Sequence, residues 1–167
     1  EYPKLKFLEV LGVGGFGIVF CVCMNDSHDD VFAVKMEWCK GCPDCHDLSL
    51  WRESNILCRP SNRLAPHLPK VVKAFGSNGY GGVFDHQQDI TVGLLCIEYL
   101  IPWALPEFLH SKLIKNNDDY AVPDSFRHLA QEQCFVLSLC QDDGISHGDI
   151  KNCHWMQRPS DGNLVLV

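Results

Sequence analysis

The sequence has no apolar run long enough to cross a membrane. Its most apolar stretch, Val92 to Leu105, is interrupted by Glu98 and Pro102, whereas a membrane-spanning helix needs about 20 consecutive apolar residues. The first residues also lack the pattern of a secretory signal peptide. We therefore expect no membrane association and a cytoplasmic or nuclear location.

Basic residues are also few, since 14 Lys and Arg stand against 21 Asp and Glu, which gives a net charge of −7. Surfaces that bind nucleic acids or anionic lipids are usually basic, so we expect neither partner. Internal repeats and low-complexity tracts are absent. With 167 residues, 46% of them hydrophobic, the composition is that of a globular protein with a sizeable core.

Cysteine, in contrast, is abundant, with ten residues. Dense disulfides are typical of small secreted domains that cannot build a sufficient hydrophobic core. This chain is longer than such domains and rich in apolar residues. The sequence therefore predicts reduced thiols.

One cysteine-rich loop has the spacing of metal ligands, Cys39-x-x-Cys42-x-x-Cys45-His46. A zinc site with three Cys and one His is chemically possible, and Cys42 to His46 also fits the C-x-x-C-H pattern of haem attachment. Haem attachment requires export, for which we find no signal. Structural zinc sites usually draw ligands from two separated knuckles, so we expect the loop to be metal-free.

The first part of the chain predicts a β-hairpin with a glycine turn. Leu5 to Val13 alternates apolar and polar residues, and Ile18 to Cys23 is β-branched and apolar. Gly12, Gly14 and Gly17 fit G-x-G-x-x-G, in which glycines let backbone amides approach phosphates. A dinucleotide-binding loop would lead into a helix, whereas here a strand follows. An ordinary glycine hairpin remains the alternative.

Further strands and helices follow from periodicity. Lys35 ends a third apolar strand, where it either snorkels at an edge or points inward at an anion. Glu53 lies on the first predicted helix. The predicted strands are 31–35, 71–75, 90–99 and 164–167, with a glycine-rich turn at 76–82; the predicted helices are 47–58, 107–113 and 126–141.

The stretch from His147 to Lys151 carries Asp149 and Lys151 between a predicted helix and a predicted strand. A carboxylate can accept or orient a hydroxyl proton, and an ammonium can hold a phosphate. Asp-x-Lys pairs are also common as solvated surface charges. Only together with the motifs that precede it in the sequence does this stretch indicate a catalytic site.

Taken together, these motifs resemble the protein kinase superfamily, of the serine/threonine type. The resemblance covers the glycine-rich loop, Phe32-Ala33-Val34-Lys35, Glu53 on the first helix, Leu94 to Leu100, and His147 to Lys151. Two short strings, Val34 to Glu37 and Gly148 to Lys151, are loosely similar to the casein kinase 1 and vaccinia-related kinase group. The implied fold is α+β, with an antiparallel N-lobe sheet and one helix over 1–98, and a truncated helical C-lobe over 99–167.

The resemblance implies roles for individual residues in ATP-dependent phosphorylation of protein Ser/Thr hydroxyls. Lys35 would contact the ATP phosphates and pair with Glu53, and Asp149, with Lys151 beside it, would orient the hydroxyl. Glycines 12, 14 and 17 would cover the phosphates. Val19, Ala33 and Met156 would pack on the faces of the adenine. Ile97 would be the gatekeeper, and the backbone of Glu98 and Leu100 would hydrogen-bond the edge of the adenine.

The sequence departs from the kinase pattern at three points. Gly148 replaces the usual arginine that pairs with an activation-loop phosphate. His154 stands where the metal-binding asparagine belongs, and a carbonyl oxygen suits Mg²⁺ better than an imidazole does. The Asp-Phe-Gly motif that holds the principal Mg²⁺ would begin beyond Val167, so we expect the sequence to be truncated before that motif.

Two functions are therefore open. The first is a protein kinase of which this chain is a fragment, inactive or nearly so alone, and prone to associate through the apolar face of helix 126–141. The second is a non-catalytic, kinase-like binding module.

Overall fold

The computed structural model describes residues 4–15, 17–24, 30–42, 44, 48–73, 77–85, 87–102 and 124–167. Within this part, the protein is α+β, with a five-stranded antiparallel sheet, a three-stranded sheet and two α-helices. The chain divides into two compact units. The first unit comprises Glu1–Ser61 and Pro69–Tyr99, and the second comprises Asn62–Leu68 and Leu100–Val167.

The first unit contains an antiparallel sheet in the order β1-β2-β3-β5-β4. Its strands are β1 (Leu5–Gly14), β2 (Gly17–Met24), β3 (Val31–Lys40), β4 (Tyr80–Asp85) and β5 (Ile90–Glu98). Each strand is rich in Val, Ile, Phe or Tyr, the residues that pack well on a pleated surface. The predicted hairpin is confirmed, because β1 pairs with β2 up to Gly14 and Gly17.

The two faces of this sheet bury different apolar clusters. One cluster joins Ala33, Leu95 and Ile97 to Leu50 of helix α1 (Ser49–Leu57). The other face buries a second set, formed by Val22, Val34 and Cys96. The first predicted helix is therefore confirmed over Ser49–Leu57, and it packs on the face that also carries Lys35.

The predicted strand at 71–75 is wrong for residues 71–73, of which Val71 forms an isolated bridge with Ile97; residues 74 and 75 lie outside the described residues. The strand that pairs with β5 on this side is β4, which begins at Tyr80 inside the segment predicted as a glycine-rich turn and continues to Asp85. The reason is local. Gly79 has a left-handed φ of 65°, and a Cβ there would collide with Val71. The chain therefore turns tightly at Gly79, and Tyr80–Asp85 pairs with β5 as the edge strand of the sheet.

The second unit contains β6 (Ile101–Pro102), helix α2 (Asp124–Asp142), β7 (Trp155–Gln157) and β8 (Leu164–Leu166). Strands β6, β7 and β8 form the three-stranded sheet in that order. The buried guanidinium of Arg158 donates to the carbonyl oxygens of Pro66 at 2.7 Å and Leu68 at 3.0 Å. Arg158 therefore fastens the segment 62–68 to the β7–β8 hairpin.

The helix predicted at 126–141 is confirmed as α2. Its sequence carries two apolar strips, one that includes Leu129, Cys134 and Cys140 and a second that includes Val136 and Leu139. Leu129, Val136, Leu139 and Cys140 are buried, whereas Cys134 is exposed. The buried residues recur at helical spacing, so they form one face of the helix that takes residues from both strips.

The remaining predictions have different outcomes. The helix predicted at 107–113 lies outside the described residues. Cys39 and Cys42 form a disulfide, so the prediction of reduced thiols is wrong for this pair. None of the described helices is both long and apolar enough to span a membrane.

Candidate functional site

The sheet face that packs against α1 brings together most of the predicted first-unit site residues. Val19 pairs with Lys35, and Ala33 pairs with Ile97, in neighbouring ladders of the sheet. Since side chains alternate along strands, Val19, Ala33, Lys35 and Ile97 all point to this face. Ala33 and Ile97 are buried, and Val19 packs against them.

Lys35 and Glu53 form an ion pair between β3 and α1. The Nζ of Lys35 donates a hydrogen bond to Oε1 of Glu53, and the two side chains are 22% and 32% exposed. The ion pair that the sequence predicts is therefore present. A half-buried ammonium fixed by a carboxylate remains accessible enough to meet an anionic ligand, and it is screened less than a surface charge.

The glycine hairpin has three glycines at which an added side chain would meet no contact among the described residues. A Cβ added at Gly12, Gly14 or Gly15 would have no described atom within 4 Å, and none of the three has a positive φ. Gly17 differs, because its φ is 148° and a Cβ there would collide with the Met36 carbonyl. Close approach of a ligand to the backbone is a physical reason for glycine at positions 12 and 14.

The N-terminus of α1 is held by a residue that the sequence analysis missed. Oε2 of Glu37 accepts a hydrogen bond from the Leu50 amide at 2.9 Å and another from the Ser49 hydroxyl at 2.8 Å. The residue at the N-cap position, Leu48, provides no side-chain cap. Glu37 lies 12 residues before Ser49, so only the fold brings the carboxylate to the helix.

Glu98 and Leu100, the predicted adenine-edge residues, fall in different units. The Glu98 amide donates to the Lys70 carbonyl at 2.8 Å, and the Glu98 carboxylate accepts from the Lys70 amide at 2.8 Å. These bonds anchor the end of β5. Leu100 is buried. Their contact with adenine remains a prediction.

In the second unit, Asp149 and Lys151 form a surface ion pair. Lys151 Nζ lies 2.8 Å from Asp149 Oδ2, and both side chains are 60% exposed. The hydrogen bond and positive charge of Lys151 hold the pKa of Asp149 below its usual range, and His154 and His147 act in the same direction. Asp149 is therefore ionised, which is the state that can orient a hydroxyl.

Gly148 has a conformational reason to be glycine. Its φ is 75°, in the left-handed region, where any other L-residue is strained. The arginine that the kinase pattern has at this position would be strained in this loop. The backbone conformation of this loop therefore favours glycine over the arginine of the kinase pattern.

Two histidines lie beside Asp149. The rings of His147 and His154 have centroids 5.1 Å apart. Nε2 of His147 lies 2.9 Å from the Val167 carbonyl, and Nδ1 lies 3.4 Å from the Asp149 amide, which fits the tautomer that carries its proton on Nε2. The Nδ1 atom of His154 is buried and has no hydrogen-bond partner among the residues that the structure describes.

These residues do not fit a Mg²⁺ site. Mg²⁺ prefers several oxygen ligands in octahedral geometry, whereas the position of the family's asparagine holds an imidazole. Within the described ranges, no three His, Cys, Asp or Glu side chains are grouped so that they could hold a metal. The carboxylate of Asp149 is already paired with Lys151.

The remaining predicted residues are Met156 and the cysteine loop. Met156 lies on β7, paired with Pro102 and Val165, and is half-buried. The sulfurs of Cys39 and Cys42 are bonded to each other, so neither offers the thiolate that a zinc site requires. Cys45 and His46 lie outside the described residues.

Comparison of the sequence with models of protein families finds no match. Comparison with curated proteins finds no match either.

Proposed function

We propose that this chain is part of an ATP-dependent protein serine/threonine kinase and that its first unit binds the phosphates of ATP. The observation that carries the proposal is the Lys35–Glu53 ion pair on the sheet face shared with Val19 and Ala33. The glycine hairpin supports it, since no contact among the described residues requires glycine at positions 12 and 14, which leaves the backbone there open to a ligand.

The chemistry of the first unit is electrostatic. Lys35 donates charge-assisted hydrogen bonds to phosphate oxygens, and Glu53 holds the ammonium in place before the ligand arrives. The backbone amides of the hairpin approach the phosphates because Gly12 and Gly14 add no side chain. The apolar residues Val19 and Ala33 provide a surface for the adenine ring.

The second unit supplies the groups for the acceptor hydroxyl. Asp149 is an exposed, ionised carboxylate that orients the Ser or Thr hydroxyl and accepts its proton as the hydroxyl oxygen attacks the γ-phosphorus and the bond from that phosphorus to the bridging oxygen breaks, which releases ADP. Lys151, bonded to Asp149, neutralises the charge that develops on the transferred phosphoryl group.

A second candidate function is a non-catalytic, kinase-like module that binds nucleotide or a protein partner. One observation favours it: His154 stands at the asparagine position, and its surroundings do not suit Mg²⁺. Phosphoryl transfer depends largely on neutralising phosphate charge, so a protein that lacks this site binds without catalysing.

Nucleotide binding is tested by calorimetric titration of the 167-residue chain with ATP. We expect Lys35→Met to weaken binding about tenfold or more, since a hydrogen bond from a charged donor is lost. Lys40→Met is the matched control, because Lys40 lies on the same strand and is exposed. Equal affinities of wild type and Lys35→Met would exclude the proposed phosphate site.

Phosphoryl transfer to a serine peptide, followed with γ-labelled ATP, separates the two candidate functions. Transfer that Asp149→Asn abolishes supports the kinase. ATP binding without any transfer, even in a protein extended beyond Val167, supports the binding module.

A further inference from the structure

Glu37 and Lys35 lie two residues apart on β3 and therefore on the same face of the sheet. Lys35 bonds to Glu53 in the middle of α1, and Glu37 bonds to Ser49 and Leu50 at the start of the same helix. One strand thus holds α1 at two points, one helical turn apart. The strand and the helix carry the two charged groups of the proposed phosphate site.

Glu37 caps the start of α1, and among the described residues no side chain of the helix or of its N-cap position does so. Leu48 occupies the N-cap position, and the first turn contains no acidic residue. Helix N-termini expose unpaired amides and the positive end of the helix dipole. The Glu37 carboxylate accepts a hydrogen bond from the Leu50 amide and places a negative charge at the positive end of the helix dipole.

The same part of the sheet also fits the first residues of the helix by shape. Gly93 pairs with Glu37 across the β3–β5 ladder. A Cβ at Gly93 would lie 2.7 Å from Leu48 Cδ1 and 2.7 Å from the Tyr80 hydroxyl oxygen. The absence of a side chain at Gly93 lets Leu48, which is 2% exposed, pack directly on the sheet. The polar contacts of Glu37 and the apolar contacts of Leu48 therefore both hold the N-terminal end of α1 against the sheet.

From this geometry, we propose that Glu37 is a positioning residue for the nucleotide site. Its carboxylate sets the axial position and rotation of α1, and these decide whether Glu53 reaches Lys35. Leu50 and Glu53 are three residues apart, so a helix that shifts or frays at Leu50 also moves Glu53. This inference rests on the proposed function for its effect on ATP, whereas the effect on the ion pair is independent of it.

The first test compares Glu37→Ala with Glu37→Gln in the 167-residue chain. Alanine removes both accepted hydrogen bonds, whereas glutamine keeps an amide oxygen that can accept them. We expect Glu37→Ala to weaken ATP binding about tenfold and to leave adenosine binding within about twofold. We expect Glu37→Gln to restore most of the ATP affinity. Glu9→Ala, on the exposed strand β1, is the control and should change neither.

A second measurement follows the ion pair itself by NMR, without nucleotide. The Glu53 carboxyl carbon and the Lys35 ammonium should shift in Glu37→Ala and not in Glu9→Ala. This readout remains valid if the wild-type chain does not bind ATP, in which case the proposed function fails and the positioning role is still decided. Unchanged Glu53 and Lys35 signals in a folded Glu37→Ala variant would overturn the inference.

A double-mutant cycle then distinguishes positioning from general destabilisation. If Glu37 acts through Glu53, then Glu37→Ala in a Glu53→Gln background should cause no further loss of ATP affinity. Additive losses, or an equal loss of ATP and adenosine affinity, would show that Glu37 only stabilises the fold.

Discussion

At the scale of single residues, the charges in the two units differ in their surroundings. The Lys35–Glu53 pair is partly buried and joins two elements, whereas Asp149 and Lys151 are exposed and two residues apart. Exposed pairs contribute little to stability because water and salt screen them. The Lys35–Glu53 pair, in contrast, joins β3 to α1 and is screened less because it is partly buried.

The pKa of Asp149 provides a prediction at this scale. Because Lys151 lowers that pKa, the ionised, paired form persists above the pKa of an unfolded Asp and is lost as the pH falls through the lower folded value. Lys151→Ala should raise the pKa of Asp149 toward its usual range. NMR titration of the Asp149 carboxyl carbon measures this, with Lys4→Ala as a control. An unchanged midpoint in Lys151→Ala would mean that the two side chains do not interact in solution.

At the scale of elements, the buried face of α2 takes residues from both of its apolar strips. Leu139 is 1% exposed, whereas Cys134 is exposed. Leu139→Ala should lower the free energy of unfolding by about 2–5 kcal/mol, because it leaves a cavity. Cys134→Ala should change it by less than about 0.5 kcal/mol. Urea unfolding measures both changes. A larger loss of stability for Cys134→Ala than for Leu139→Ala would contradict the burial that the structure gives these two residues.

The Cys39–Cys42 disulfide joins the end of β3 to the first residues after it. Because the bond closes a loop of only four residues, chain entropy limits its contribution to about 2 kcal/mol. Replacing both cysteines with serine should therefore lower stability by no more than this amount. Mass spectrometry after alkylation without reductant checks the bond, with the exposed Cys58 as a positive control. Alkylation of Cys39 and Cys42 under these conditions would show that the thiols are reduced.

At the scale of the whole molecule, strands and helices with a clear period could be predicted from the sequence. The pattern was sufficient for β2, β3, α1 and α2, whereas the Lys35–Glu53 pair followed from the resemblance to kinases. The pattern failed for β4, because the glycines at 81 and 82 interrupt the alternation of apolar and polar residues. Strand β7 was missed although the equally short β8 was predicted, because β8 is an unbroken apolar run and β7 is Trp-Met-Gln.

Contacts between residues distant in sequence were beyond prediction. The Glu37 cap of α1 depends on β3 and the helix start meeting in space. The buried Arg158 binds carbonyl groups about 90 residues away, and a single charge gives no sign of such partners. The roles of Glu98, Leu100 and Met156 toward adenine rest on the resemblance alone and stay predictions.

The proposed function depends most directly on Lys35 lying where the phosphates of ATP would bind. An acyl-phosphate derivative of ATP tests it directly, because the bound reagent acylates the lysine beside its phosphates and mass spectrometry identifies the modified residue. We expect Lys35 to be the main labelled lysine, with labelling suppressed by excess ATP and redirected in Glu53→Gln. Labelling spread over exposed lysines such as Lys4 and Lys40, and unaffected by ATP, would contradict the account.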